Sequence, residues 1–416
     1  MPKRVVLAYS GGLDTSVAVR WMIEEMGVEV VAVACDVGQG GDWEALQARA
    51  LAAGAIDAVV VDCREEFARD FVGPALRANA LYENRYPLVS ALSRPVIVRH
   101  LVEVARRFGA DAVAHGCTGK GNDQVRFEVA TRSLAPDLEV VAPVRNWGMT
   151  RAESIDYAAR FDIPVRATKE QLYSIDDNLW GRAIECGEME DPWNRPPEGV
   201  WSLTTVRTGE AREITVGFEQ GTPVALDGVA LALHELIVEL NDVVGSYGWG
   251  RLDMVENRRV GIKSRETYEA PAGLALILAH VDLESICLER DLAHEKQRLE
   301  GRYADLVYDG QWYSPLKAAY DAFIDESQRF VTGEVRLRLE PGRCYVVGRR
   351  SPYSLYDYGL ATYEAADTFN HVDSEGFVRL WGLGLQTWSA QQGPGRSETE
   401  GRAAPADPGI DGDATP

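Results

Sequence analysis

The sequence predicts an α/β fold: a doubly wound parallel sheet over residues 1–166, an α+β domain over 167–388 and a disordered acidic tail over 389–416. Three observations carry this reading. Short β-rich runs alternate with helix-period segments in the first part of the chain. Those runs are apolar throughout instead of alternating, as strands covered by helices on both faces are. After about Arg166 the order changes to alternating strands followed by long helices.

Taken in order, the strand candidates are residues 5–9, 29–35, 58–61, 111–115 and 140–144. Between the first two, Val17, Ala18, Trp21 and Met22 recur on one face of a 3.6-residue period, which predicts a helix packed on the sheet. Beyond the Pro-rich loop at 191–197 the pattern predicts helices from 272 to about 300 and from 314 to 330, then a strand pair at 335–339 and 344–348. From Phe377 the chain carries Gly382 and Gly384, each weakening a docking helix by up to about 1 kcal/mol relative to alanine. From Ser389 onward almost no large apolar side chain remains, and such a composition cannot bury enough surface to order itself.

Composition removes several function classes. A formal charge of −21 argues against a broad grip on nucleic acid, which needs clustered Lys and Arg. No apolar run approaches the roughly 20 residues of a membrane-spanning helix, and Met1-Pro2-Lys3-Arg4 leads into a run too short for a secretory signal. The six cysteines show no Cys-x-x-Cys and no zinc or disulfide spacing, so a reducing cytoplasm is expected and Cys117 reads as a bystander without a base partner.

The chemistry-bearing turn is Ser10-Gly11-Gly12-Leu13-Asp14-Thr15-Ser16, between the first strand and the first helix. Open α/β sheets present ligands there, at the carboxyl ends of their strands. Adjacent glycines let successive N–H groups wrap an anion, the helix directs its positive end at the same point, and three hydroxyls add donors. The Walker lysine is missing. A carboxylate such as Asp14 beside phosphates makes sense with Mg²⁺ between them. Read blandly, the turn merely joins strand to helix, with Asp14, Thr15 or Ser16 as N-cap.

A second polar run, His115-Gly116-Cys117-Thr118-Gly119-Lys120-Gly121-Asn122-Asp123-Gln124-Val125-Arg126, opens on the same rim. Its glycines uncover backbone amides, Thr118, Asn122 and Asp123 supply neutral and anionic partners, and Arg126 supplies a fork for a carboxylate, the mixture a zwitterionic amino acid needs.

The turn from Ser10 to Ser16 resembles the pyrophosphate-binding loop of the ATP pyrophosphatase enzymes, and the run from His115 to Arg126 resembles the argininosuccinate synthase family. Segments around Tyr82 to Leu88, Tyr173 to Leu179, and Val255 to Glu269 match the same family, so the likeness covers residues 4 to about 360. It implies an adenine nucleotide alpha-hydrolase-like first domain, ATP and Mg²⁺ as cofactors, and a ligase that joins citrulline to aspartate through a citrullyl-adenylate, releasing AMP and pyrophosphate. It also implies a homotetramer held partly by the carboxyl-terminal region. Carried over by position, its ATP contacts fall on Ala8, Tyr9, Ser10, Gly11, Gly12, Leu13, Asp14, Thr15, Ser16, Cys35 and Gly116. Its aspartate contacts fall on Thr118, Asn122 and Asp123, and its citrulline contacts on Tyr86, Asn122, Arg126, Ser174, Glu256 and Tyr268, with Ser90 expected to stand in at the citrulline site for the family serine replaced by Ala91. Asp14 and Asp123 are the catalytic candidates. Ala91 and Ala183 stand where many relatives have serine, and each missing hydroxyl costs about 1 kcal/mol if its hydrogen bond was made. The competing readings are a tRNA-thiolating or amidating ligase, for which no cysteine pair, glutaminase segment or basic patch is visible, and a nucleotide-binding module without turnover.

Overall fold

The computed structural model describes residues 2–164, 173–207 and 209–393. Strands β1 (Arg4–Ala8), β2 (Glu29–Asp36), β3 (Asp57–Asp62), β4 (Ala112–Ala114) and β5 (Glu139–Val141) form one sheet in the order β3-β2-β1-β4-β5, with every neighbouring pair parallel. β1 shows why its sequence is apolar throughout. Val6 packs into one buried cluster while Val5 and Leu7 pack into the other, so both faces of the strand are covered. The expected fifth strand ends early, at Val141, because Pro143 opens the short helix Pro143–Trp147.

The helix Leu13–Met26 follows β1, buries Val17, Ala18 and Met22, and stops at Gly27 in the left-handed conformation, φ 65°. Strand order reverses at the β1–β4 pair, so the carboxyl ends of these two strands flank one crevice.

The remaining strands are β6 (Ser174–Asn178), β7 (Gly181–Glu185), β8 (Arg212–Glu219), β9 (Thr222–Leu226), β10 (Val229–Ala230), β11 (Arg251–Asn257), β12 (Lys263–Glu269), β13 (Gly333–Glu340) and β14 (Arg343–Arg350). They build two antiparallel sheets, ordered β11-β12-β7-β6 and β10-β9-β8-β13-β14. Asn178 Nδ2 donates to Val89 O at 2.8 Å and Trp180 Nε1 to Pro87 O at 2.7 Å, which ties the four-stranded sheet to the start of the helix Val89–Phe108. Register then sets a row across that sheet: Asp176 faces Ala183 on one side and Tyr268 faces it on the other.

The long helix expected from 272 to 300 is two helices, Pro271–Cys287 and Arg290–Tyr308. The break follows from Glu289, whose side chain accepts from the N–H groups of Asp291 and Leu292 and so starts a new helix. Packing gathers the chain up to Leu355 into one compact unit, and a second unit begins at Tyr356. In that second unit the helix His371–Gln392 forms through Gly376, Gly382 and Gly384 and runs past Ser389, where the tail was expected to start. Each glycine costs up to about 1 kcal/mol, a small term against the helical hydrogen-bond ladder that runs on through all three positions. The rest of the expected tail, from 394, lies outside the described residues.

Candidate active site

The turn after β1 is built for an anion. Gly11 has φ +73°, and a Cβ there would stand 3.0 Å from Arg49 Nη2 and 3.2 Å from Leu46 Cδ1, so the position requires glycine. Gly12 occupies the N-cap of Leu13–Met26 in extended conformation and no side chain caps it, which leaves the amides of the first turn for a ligand. Ser10 Oγ and Thr15 Oγ1 lie 3.2 Å apart beside them. From β4, Gly116 meets the same turn: a Cβ at 116 would come within 2.8 Å of Thr15 Cγ2, so the glycine turn and the polar run touch.

A cleft of about 770 Å³ extends from this junction to the four-stranded sheet. Of the expected nucleotide contacts, Ala8, Tyr9, Ser10, Asp14, Thr15, Cys35 and Gly116 line it. Gly11 and Gly12 shape the turn without lining the cleft, and Leu13 and Ser16 turn inward. Ser16 is fully buried with its Oγ 2.9 Å from the Tyr9 hydroxyl, so it is not among the free hydroxyls the sequence suggested. Asp14 is exposed, and desolvation by the surrounding residues raises its carboxyl pKa against the pull of Arg151.

Every expected amino-acid contact lines the cleft: Thr118, Asn122, Asp123, Tyr86, Ser90, Arg126, Ser174, Glu256 and Tyr268. Asp123 is clamped between two guanidiniums. Arg94 Nη2 donates to its Oδ2 at 2.7 Å and Arg126 Nη1 to its Oδ1 at 2.7 Å. Burial pushes the Asp123 carboxyl up, but the two arginines win and hold it well below the ordinary carboxylate range. The same Arg94 Nη2 reaches Asp176 Oδ2 at 2.6 Å, while Arg94 Nε is buried with no hydrogen-bond partner.

An aromatic and acidic arrangement faces this clamp. Tyr86 stacks on Tyr268 with ring centroids 4.1 Å apart and receives the Ser90 N–H on its hydroxyl at 2.9 Å. The hydroxyls of Tyr268 and Tyr308 donate to the two oxygens of Glu256 at 2.9 and 2.7 Å. Arg126 Nε donates to Tyr308 O at 2.9 Å and its guanidinium lies over the Tyr308 ring. Glu256, buried, has its pKa raised by desolvation, and Glu266, facing Glu185 and Glu256 in the same acidic group, is pushed up to about 8 mainly by burial. The β11–β12 turn ties back to the polar run through Arg258 Nη1 to Lys120 O at 3.3 Å and Arg259 N to Asn122 Oδ1 at 2.8 Å.

The two alanines part ways. Ala183 lines the cleft between Asp176 and Tyr268, whereas Ala91 is buried in the core and does not reach it. Burial raises the Cys117 thiol, consistent with a bystander. Residues that sequence reasoning did not assign are Arg94, Asp176, Arg258, Glu266 and Tyr308. Asp176 and Arg258 sit in segments already singled out, and their opposite charges were the available signal.

Comparison with known proteins identifies the family. Residues 4–164 match the model of the arginosuccinate synthase N-terminal HUP domain, and residues 173–388 that of the arginosuccinate synthase C-terminal domain. Over 384 residues, 92% of this chain and 95% of the relative, the sequence is 55% identical to the argininosuccinate synthase of Bacillus pumilus. The chain belongs to the argininosuccinate synthase family.

Proposed function

We propose that this chain is an ATP-dependent ligase that joins citrulline to aspartate, forming argininosuccinate, AMP and pyrophosphate. The observation that carries the reading is the meeting of an uncapped glycine turn after β1 with the Asp123 clamp and the Glu256–Tyr268 pair in one cleft. In this reading residues 1–166 hold the nucleotide and 167–388 complete the citrulline site.

The ureido carbon is a poor electrophile, so its oxygen first attacks the α-phosphorus of ATP. That bond forms as the bond from the α-phosphorus to the bridging oxygen breaks, and pyrophosphate leaves toward the amides of the first helical turn. The amine of aspartate then attacks the activated carbon and AMP departs with the former ureido oxygen. Thr118, Asn122 and Asp123 would hold aspartate, with Tyr86, Ser90, Arg126, Ser174, Glu256 and Tyr268 around citrulline. Asp123, kept ionised by Arg94 and Arg126, is a poor proton acceptor at neutral pH and serves as an anchor; the amine proton goes to a phosphate oxygen of the departing AMP. The exposed Asp14 carboxylate fits a role in holding Mg²⁺, which when bound would neutralise charge on the leaving pyrophosphate. Positioning three substrates supplies much of the rate, since among the described residues no nucleophilic serine or cysteine in the cleft has a base beside it.

The assay is direct. The purified chain with ATP, Mg²⁺, citrulline and aspartate yields AMP and argininosuccinate by mass spectrometry; nucleotide binding without product would overturn the reading in favour of a binding module. Assembly as a homotetramer belongs to the same proposal and is supported by the helix His371–Gln392, whose Leu380, Trp381 and Leu385 are 70%, 78% and 71% exposed and suit contact with a second copy. Light scattering that returns a monomer would remove that part. The free cysteines fit a reducing cytoplasm.

A further inference from the structure

Away from the substrate cleft, three residues distant in sequence bring unlike donor atoms together. Cys63 follows β3 and is fully buried, Glu66 ends the short helix Arg64–Glu66, and His100 projects from the helix Val89–Phe108. One thiol sulfur, one carboxylate oxygen and one imidazole nitrogen lie within 4.8 Å of one another. Each is already oriented by a further partner. Glu66 Oε1 receives Arg99 Nη1 at 2.6 Å, which leaves Oε2 facing His100 Nε2 at 2.6 Å. His100 Nδ1 lies 3.1 Å from Glu103 Oε2, the carboxylate–histidine arrangement that fixes the ring of a metal-bound imidazole. The Cys63 thiol contacts the backbone oxygen of Val61 at 3.6 Å and the thiol of Cys35. Immediately after Glu66 the chain makes a π-helical turn, Phe67–Val72, a rare geometry that concentrates at functional sites.

We propose that Cys63, Glu66 and His100 form a binding site for a thiophilic divalent cation, Zn²⁺ foremost. A thiolate, a carboxylate and a neutral imidazole match the donor preference of Zn²⁺ and not of Mg²⁺ or Ca²⁺, and the two anionic ligands balance its charge. Binding releases two protons, one from the Cys63 thiol and one from His100 Nε2 where it faces Glu66, and leaves the remaining imidazole proton on Nδ1, facing Glu103. Water completes four-coordination, with the Cys35 thiol packed against Cys63. Glu66 and His100, with side chains 21% and 14% exposed, give the ion its way in to the buried sulfur. Because Cys63 follows β3 and packs against Cys35, which belongs to β2 and lines the cleft, the ion would pin the carboxyl end of β3 beside the nucleotide site.

The test uses the full chain, stripped with chelator, then titrated with Zn²⁺ or Co²⁺ alone. One equivalent of metal by mass spectrometry is expected, with a near-ultraviolet thiolate-to-cobalt band that disappears in Cys63→Ser. Glu66→Gln and His100→Gln should each weaken metal affinity by at least about tenfold, and Glu103→Gln by a similar factor through the ring. Circular dichroism shows which variants are folded, and the Glu66 and Glu103 variants carry the test if Cys63→Ser is not. Retention below about 0.1 equivalent, or a cobalt band that survives in Cys63→Ser or is unchanged in the glutamine variants, would overturn the proposal.

Discussion

Replacing Arg94 by lysine separates charge from geometry at the Asp123 clamp. The guanidinium spans Asp123 and Asp176 at 2.7 and 2.6 Å, with its side chain 13% exposed. Lysine keeps the positive charge on a single point and reaches one carboxylate at a time. The variant therefore loses one charge-assisted hydrogen bond of about 2 kcal/mol, roughly 30-fold in kcat/KM. Arg94 Nε, a buried donor without a partner, is lost with it; an unpaired buried donor in a substrate cleft is accounted for if bound substrate supplies the acceptor. If Asp123 anchors aspartate, the loss falls on the aspartate KM, while the KM for ATP moves by less than about threefold. Asp176→Asn leaves the Arg94–Asp123 pair standing and should cost less. Initial-rate kinetics with each substrate varied in turn, on protein shown folded by its melting curve, reads all of this. An aspartate KM within about twofold of the parent in folded Arg94→Lys would refute the positioning argument.

Other outcomes follow from the same geometry. Asp14→Asn lowers turnover by at least about tenfold through lost stabilisation of the leaving pyrophosphate; near-normal turnover would remove Asp14 from the chemistry. Ala183→Ser, placed between Asp176 and Tyr268, lowers the citrulline KM by up to roughly fivefold, from a hydrogen bond worth about 1 kcal/mol, whereas Ala91→Ser leaves it unchanged and lowers the melting temperature, because its hydroxyl enters the core. His115, buried, accepts the Cys117 N–H on Nδ1 and has its pKa lowered to about 4, mainly by desolvation. The unfolded chain binds this proton more readily, so the stability from His115 is fully present above about pH 6.5 and is lost as pH falls toward about 4, at up to about 1.4 kcal/mol per pH unit. Urea unfolding between pH 7 and 4.5 measures that slope, which His115→Gln should flatten.

The parallel sheet was legible because its strands are short, apolar on both faces and separated by helix-period segments; Val5, Val6 and Leu7 need no partner in view to be read as buried. The turn at Ser10–Ser16 was legible because glycines, hydroxyls and an acid are contiguous. What escaped depends on contacts between remote segments. Ser16 carries the right hydroxyl, and only the fold shows Tyr9 occupying it. Tyr308 ends a helix with no motif around it, and its role beside Glu256 follows from packing across 52 positions of chain. The glycines before Trp388 suggested a weak helix, yet local propensity is a small term against a continuous hydrogen-bond ladder. Cys63, Glu66 and His100 have no zinc-like spacing because their juxtaposition is made by β3 and a helix that begins only at Val89.

The charge lining the cleft poses the sharpest demand on the proposed reaction. Among the described residues four arginines, Arg49, Arg94, Arg126 and Arg258, stand against eight acids, Asp14, Asp42, Asp123, Asp176, Asp177, Glu185, Glu256 and Glu266, of which burial keeps Glu266 largely protonated at neutral pH, and no lysine lines the cleft. Arg94, Arg126 and Arg258 are already paired with carboxylates. A triphosphate thus enters a site whose side chains repel it, and the attraction must come from the helix N-terminus, the turn amides and a cation brought in with the nucleotide. At an effective dielectric near 20, two unit charges about 8 Å apart interact by about 2 kcal/mol, so neutralising the phosphates with Mg²⁺ should tighten ATP binding at least roughly tenfold. Calorimetric titration of ATP with Mg²⁺ or with EDTA reads this directly. In Asp14→Asn the Mg²⁺ effect should shrink, because a double-mutant comparison isolates the carboxylate's share of the cation's hold. Equal affinity with and without Mg²⁺ would mean that the amides alone overcome the acidic lining, and would remove the cation from the account.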